Sequence, residues 1–254
     1  MIKIAILNKE EIIFGTRAII EAIKSGKEVD KVLVRNGLRN PLFIELNELL
    51  KEYNIPIQGV PIEKLNRITT KNHQGTIAFI SPVSFQPIEE IIPLIYEKGE
   101  VPLILILDRV TDVRNLGAIS RTVECTGTHA IVIPARGSAQ INAEAIKASA
   151  GALNLVPVCR SFNLKETIDF LKESGLQIVA ATEKTDINYT EVDYHQPTAI
   201  IMGSEDRGIS EEYLKRSDHQ VSIPVLGKIG SLNVSVASAV ILYEVIRQRS
   251  KTEF

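Results

Sequence analysis

The feature that most constrains this chain is a short apolar run, Leu103-Ile-Leu-Ile-Leu107. A strand with one wet face alternates apolar and polar residues. A strand apolar at every position needs cover on both faces, as in the parallel sheets of α/β domains. The flanking pattern agrees. Helices are expected over residues 115–126, 143–150, 164–174 and 211–216. Strands are expected over 130–133, 156–159, 177–182, 198–202 and 219–223, where Pro224 stops the last one. Alternation of this kind predicts a parallel α/β sheet with a ligand at the strand C-terminal ends.

The first third has its own smaller rhythm. Residues 12–25 carry apolar positions at helical spacing, with Gly26 as a stop. Residues 41–53 form an amphipathic helix with Pro41 in its first turn and Leu42, Leu46, Leu49 and Leu50 on one face. Strands are expected at 31–35, 57–60 and 76–80, and a short helix at 62–68. Ser81-Pro-Val-Ser-Phe-Gln-Pro87 has two prolines and no apolar period, so it reads as a linker. The expected organisation is a small α/β domain over residues 1–80, a linker over 81–100 that ends in a short helix, and a larger domain over 101–254.

The last long stretch runs from Ser222 through two glycines, Gly227 and Gly230, into an apolar segment. Ser231 or Asn233 can cap the helix that follows. From Val234 to Leu242 that helix is apolar nearly all round, so it is expected to be buried.

Composition excludes several classes. Apolar content of 44% and a formal net charge of −2 fit a folded globular chain, not a disordered one. Trp is absent and aromatics are 5%, which disfavours a base-stacking platform. Cys125 and Cys159 make no metal pattern, and His73, His129, His195 and His219 have no ligand spacing, so no metal is expected. No leader-like segment opens the chain and no apolar run approaches eighteen residues, so no membrane partner and a cytoplasmic location are expected. Residues 1–80 hold twelve basic and nine acidic side chains, a net of +3, against −5 for the rest; a basic first third suits phosphate contacts.

Gly203-Ser-Glu-Asp-Arg-Gly208 follows a strand and has the spacing of a Walker A loop, but Ile209 stands where the phosphate-binding Lys belongs. No G-x-G-x-x-G follows the first strand of a βα unit either. Nucleotide triphosphatase and dinucleotide chemistry are thereby disfavoured. The residues alone leave Asn115 as a helix cap, Arg121 as a surface arginine, Glu205 as a loop acid, and Ile223 and Leu232 as core.

Three ordered segments change that reading. Asn115-Leu-Gly-Ala-Ile-Ser-Arg121, Met202-Gly-Ser-Glu-Asp-Arg-Gly208 and Ile223-Pro-Val-Leu-Gly-Lys-Ile-Gly-Ser-Leu-Asn-Val-Ser resemble the three motifs of the SpoU, or TrmH-like, RNA ribose methyltransferases. The match spans about residues 103 to 249. Phe14-Gly-Thr-Arg-Ala-Ile-Ile-Glu-Ala-Ile23 and Asn72-His-Gln-Gly75 resemble the substrate-binding domain of the branch that modifies a guanosine in large-subunit ribosomal RNA.

The resemblance implies a small ribosomal-protein-like RNA-binding domain before a parallel-sheet methyltransferase domain with a deep trefoil knot. It implies methyl transfer from S-adenosylmethionine to a ribose 2′-OH, and a homodimer. It places the cofactor at backbone near Gly203, Ile223 and Leu232, with Thr182 lining the pocket. It makes Arg121 the central catalytic residue, assisted by Asn115, Glu205, Ser231 and Asn233. Arg109 and Arg114 at the same strand end could bind RNA phosphates. Two alternatives stand beside ribosomal RNA methylation: a transfer RNA methyltransferase, and a catalytically silent RNA-binding relative.

Overall fold

The computed structural model describes residues 12–250; the opening stretch read above for a leader lies outside them. The chain divides into two compact units, Met1–Ser84 and Phe85–Phe254.

The first unit contains β1 (Ile12–Phe14), α1 (Thr16–Lys24), β2 (Val29–Arg35), α2 (Pro41–Glu52), β3 (Ile57–Val60), α3 (Ile62–Ile68) and β4 (Thr76–Ile80). Its sheet has the order β1-β4-β2-β3, with β2 and β3 parallel and the other pairs antiparallel. The helix expected from residue 12 starts only at Thr16, because Ile12 to Phe14 pair with β4. Gly15 makes the change of direction at φ +90°, where a side chain is disfavoured, and its N–H donates to Thr76 O. At α2, Asn40 Oδ1 accepts from Phe43 N at 2.8 Å and Pro41 fills the first helical position. His73 is a buried organiser of its loop: Gly75 N–H donates to Nδ1 at 3.0 Å, and Nε2 meets Asn66 Oδ1 at 2.9 Å.

The second unit contains α4 (Ile88–Glu97), β5 (Leu103–Asp108), α5 (Val113–Cys125), β6 (Ala130–Pro134), α6 (Ala143–Ala148), β7 (Val158–Ser161), α7 (Leu164–Glu173), β8 (Gln177–Ala181), β9 (Thr198–Gly203), α8 (Glu211–Leu214), β10 (His219–Val221) and α9 (Val234–Ser250). All its strand pairs are parallel, in the order β10-β8-β9-β5-β6-β7. The apolar run behaves as its composition requires. Ile104 and Ile106 face the α4 and α7 side, where they join Ile91, Ile92, Ile168 and Leu171. Leu103, Leu105 and Leu107 alternate to the other face, and every residue of the strand is buried. Helix α4 therefore belongs to the core of this unit.

Helix α5 packs against both α6 and α9, and α9 also meets β9. The terminal helix is not buried all round as its composition suggested. Val236 and Tyr243 are each about half exposed, while Ile241, Leu242 and Val245 are enclosed. Its last turn is fastened by Arg249, whose guanidinium donates to four carbonyls: Tyr194 O, Val101 O, Pro102 O and Gln196 O, at 2.8–3.1 Å. Burial holds the Arg249 guanidinium below its usual pKa. Among the described residues no helix is long and apolar enough to cross a membrane.

Candidate active site

A cavity of about 460 Å³ opens at the C-terminal ends of β8, β9 and β10. In an open parallel sheet this is where loops diverge and ligands are received. Three chain segments wall it: the one after β8 with Thr182, Glu183 and Lys184; the loop Gly203 to Gly208; and residues 221–234 with Ile223, Ser231 and Leu232. Its size suits a nucleoside-sized ligand. The lining mixes backbone, aliphatic side chains and both signs of charge, which fits a ligand bearing an apolar ring, an ammonium and a carboxylate.

Thr182, Gly203, Glu205, Ile223, Ser231 and Leu232 all line this cavity. Thr182 is held by its N–H donating to Val221 O at 2.9 Å, which ties the β8 end to β10. Gly203 must be glycine for a local reason. A Cβ there would lie 2.2 Å from the Gly208 carbonyl carbon and 2.4 Å from Ile209 N, because the two legs of the loop touch. That close approach shapes the wall where the resemblance expects backbone contacts.

Asn115, Glu205 and Asn233 meet in one network. Asn115 Nδ2 donates to Glu205 Oε1 at 3.1 Å, and Asn233 Nδ2 donates to Asn115 Oδ1 at 3.0 Å and also to Glu205 Oε1. Asn233 Oδ1 accepts from Ser235 N at 2.9 Å, so Asn233, not Ser231, caps α9. Val234 N–H also reaches Glu205, at 3.4 Å. The carboxylate thus sits at the positive end of a 17-residue helix, where an anion is stabilised by roughly 0.3–1 kcal/mol. Asn115 is free to join because it is not a cap: Asp112 caps α5, accepting from Arg114 N at 2.7 Å, and the helix begins two residues earlier than expected. The network joins all three motif segments.

Arg121 is not brought to this cavity. It is exposed on α5, and it makes no hydrogen bond or ion pair among the described residues. Six residues past Asn115, it points about 120° away around the helix. Arg114 is 78% exposed beside Asp112, and its guanidinium holds the Asp112 carboxyl below the usual range. Arg109 is turned back instead. Its guanidinium binds Asp108 and the Gly208 carbonyl. The sequence reading gave no role to two cavity-lining cations: Lys184, which carries no distinctive spacing, and Arg207, which lies inside the second motif. Among the described residues no group of three metal-ligating side chains occurs.

Residues 102–243 match the SpoU rRNA Methylase family, and residues 12–86 match the RNA 2′-O ribose methyltransferase substrate-binding family. A Bacillus subtilis protein assigned to the TrmH family of tRNA/rRNA methyltransferases is 34% identical over 242 residues, covering 95% of this chain and 97% of its own. The SpoU methyltransferase AviRb from Streptomyces viridochromogenes, solved in complex with the cofactor AdoMet, superposes with a TM-score of 0.61 at 25% identity, covering 94% of this chain and 90% of its own. The A. aeolicus TrmH/SpoU tRNA modifying enzyme is 33% identical with a TM-score of 0.56, covering 65% of this chain and 85% of its own. The chain belongs to the SpoU family of RNA 2′-O-ribose methyltransferases.

Proposed function

We propose that this cytoplasmic protein methylates a guanosine 2′-OH in large-subunit ribosomal RNA, with S-adenosylmethionine held in the cavity at the ends of β8, β9 and β10. The observation that carries the proposal is that this cavity collects Thr182, Gly203, Ile223, Ser231 and Leu232, with the Asn115–Glu205–Asn233 network at its edge. Ribosomal over transfer RNA is favoured by the separate substrate-binding segment at residues 12–86 and its basic excess. The tRNA-modifying relative, by contrast, aligns with only 65% of this chain.

Backbone at Gly203, Ile223 and Leu232 would hold the cofactor, with Thr182 lining the same pocket. When bound, the cofactor supplies a methyl group on positively charged sulfur. The protein must align the attacking oxygen and manage its proton. A guanidinium offers hydrogen-bond donors and no acceptor, so the part of Arg121 is to clamp the neighbouring phosphate and stabilise negative charge growing on the 2′-oxygen. A phosphate oxygen or water takes the proton. Ser231 and Asn233 orient the ribose, and Asn115 and Glu205 fix the junction of the loops.

The proposal includes a homodimer in which one subunit's Arg121 serves the other's site, a reading supported by its absence from the cavity of its own chain. The half-exposed Val236 and Tyr243 on α9 suit such a contact. The threading of residues 222–250 into a trefoil knot completes the proposal.

The test is methyl incorporation from labelled S-adenosylmethionine into ribosomal and transfer RNA, with the product nucleotide mapped. Incorporation into large-subunit RNA is expected. Arg121→Ala should abolish it while cofactor affinity stays within a few fold. Incorporation confined to transfer RNA would replace the substrate. A variant keeping more than about a tenth of wild-type turnover would remove Arg121 from the centre, since tenfold is only about 1.4 kcal/mol of barrier.

A further inference from the structure

Asp108 ends β5 and is 2% exposed. It does not line the cavity, and none of the roles above uses it. Its carboxylate accepts four hydrogen bonds. Ser210 N donates at 2.8 Å and Ser210 Oγ at 2.7 Å, both to Oδ2. Arg109 Nε donates to Oδ1 at 3.1 Å and Arg109 Nη2 to Oδ2 at 3.2 Å. The same Nη2 donates to Gly208 O at 3.2 Å. Arg109 reaches this position at φ +59°, a left-handed conformation that non-glycine residues rarely adopt.

The partners are the point. Gly208 and Ser210 form the far leg of the loop that leaves β9. The near leg is Gly203, in contact with Gly208, and between them lie Ser204 and Glu205. The loop closes on itself through Gly208 N donating to Ser204 O at 2.8 Å. Ile209, 4% exposed, seats the far leg in the core beside Ile106 and Ile201, but an apolar contact of this kind does not fix the direction of the flanking backbone. The buried carboxylate at the end of the neighbouring strand supplies the directional tie through Ser210, and the bent-back arginine adds a second at Gly208 O.

We propose that Asp108 and Arg109 are positioning residues: a buried carboxylate–guanidinium clamp that holds the Gly203–Ser210 loop so that it forms the cofactor wall and presents Glu205 to Asn115 and Asn233. The assignment of the cavity to S-adenosylmethionine is the reading on which the affinity part of this proposal rests. The clamp keeps the wall in its binding form before any ligand arrives, so its loss appears in affinity more than in turnover.

The test uses full-length Ser210→Ala, Arg109→Lys and Asp108→Asn, with two readouts. The first is amide hydrogen exchange without cofactor. Exchange over residues 204–210 should rise in each variant, while β5 and β9 remain protected. The second is S-adenosylmethionine binding by calorimetry with steady-state kinetics. Kd and KM for the cofactor should rise about tenfold in Ser210→Ala, the size of one lost charge-assisted hydrogen bond, with kcat within about twofold. Should Asp108→Asn not fold, Ser210→Ala and Arg109→Lys decide the matter alone. Unchanged loop exchange in those two variants overturns the clamp. So does a fall in melting temperature with unaltered exchange and affinity, the signature of a purely structural ion pair. Wild-type protein that binds no S-adenosylmethionine overturns the cofactor assignment instead, and the exchange measurement then decides the clamp by itself.

Discussion

Gly117 sits inside the first motif, one helical turn before Arg121, and its substitution tests the packing beneath the site. A Cβ added there would lie 2.4 Å from Ala148 Cβ and 3.0 Å from both Ala148 C and Ser149 N. Carbon atoms do not approach to 2.4 Å, and two of these neighbours are backbone, so α5 and α6 must move apart. Overpacking of this kind costs about 1–3 kcal/mol. Replacing an interior helical glycine by alanine recovers about 1 kcal/mol of propensity. With the clash in the upper part of its range, Gly117→Ala should lose about 1–2 kcal/mol. At about 2–4 °C per kcal/mol for a unit of this size, the melting temperature should fall by roughly 2–8 °C. The assay is calorimetric melting of wild type, Gly117→Ala and the double variant Gly117→Ala/Ala148→Gly. The double variant should recover part of the loss, because the side-chain clash goes and the backbone contacts stay. An unchanged or raised melting temperature in Gly117→Ala would refute the close approach of the two helices, since propensity alone would then have won.

Two further outcomes are expected. Removing residues 1–84 should leave S-adenosylmethionine affinity unchanged and weaken RNA binding in a filter or mobility assay; equal RNA affinity with and without them would remove the first unit from substrate recognition. A thiol reagent at pH 8 should modify exposed Cys125 in the native protein and reach Cys159 only on unfolding. Burial, with a smaller contribution from Glu89, pushes the Cys159 thiol up to about 12, so almost none is thiolate at that pH. Two fast-reacting thiols in native protein would contradict that burial.

Much of the fold was legible because the apolar run at 103–107 admits only a two-sided burial, and the helix–strand alternation follows from it. The strand order was not legible: period tells which residues face a core, not which strand lies beside which. The start of α5 is not legible because Asp112 and Asn115 are both good caps, and only the structure shows which one bonds the helix. That choice matters for the site, since it frees Asn115 to reach Glu205 ninety residues away. The half-exposed face of α9 was hidden by its composition, which is nearly as apolar there as on the enclosed side. The cavity residues Ile223 and Leu232 read as core on their own, and only the ordered motifs singled them out. The Asp108 clamp was missed because an Asp-Arg pair at a strand end has no spacing to notice; its meaning lies in Ser210, 102 residues later.

The Arg249 fastening has a bearing on how the protein is made. One of its four acceptors, Val101 O, lies 148 residues earlier in the chain. Contacts between such distant residues close large loops, and the entropy of closing them must be overcome before they stabilise anything. The carbonyls around the guanidinium precede β5 and β9, the two central strands, so the N-terminal ends of that pair have to be in place before the last turn can dock on them. The same final segment also supplies residues 221–234, one of the three walls of the cavity. During synthesis the second unit can therefore assemble most of its sheet early and still lack a complete ligand site until α9 has emerged from the ribosome. Maturation of the site should accordingly be among the slowest and last events in folding, and ligand added to stalled chains lacking α9 should find nothing to bind.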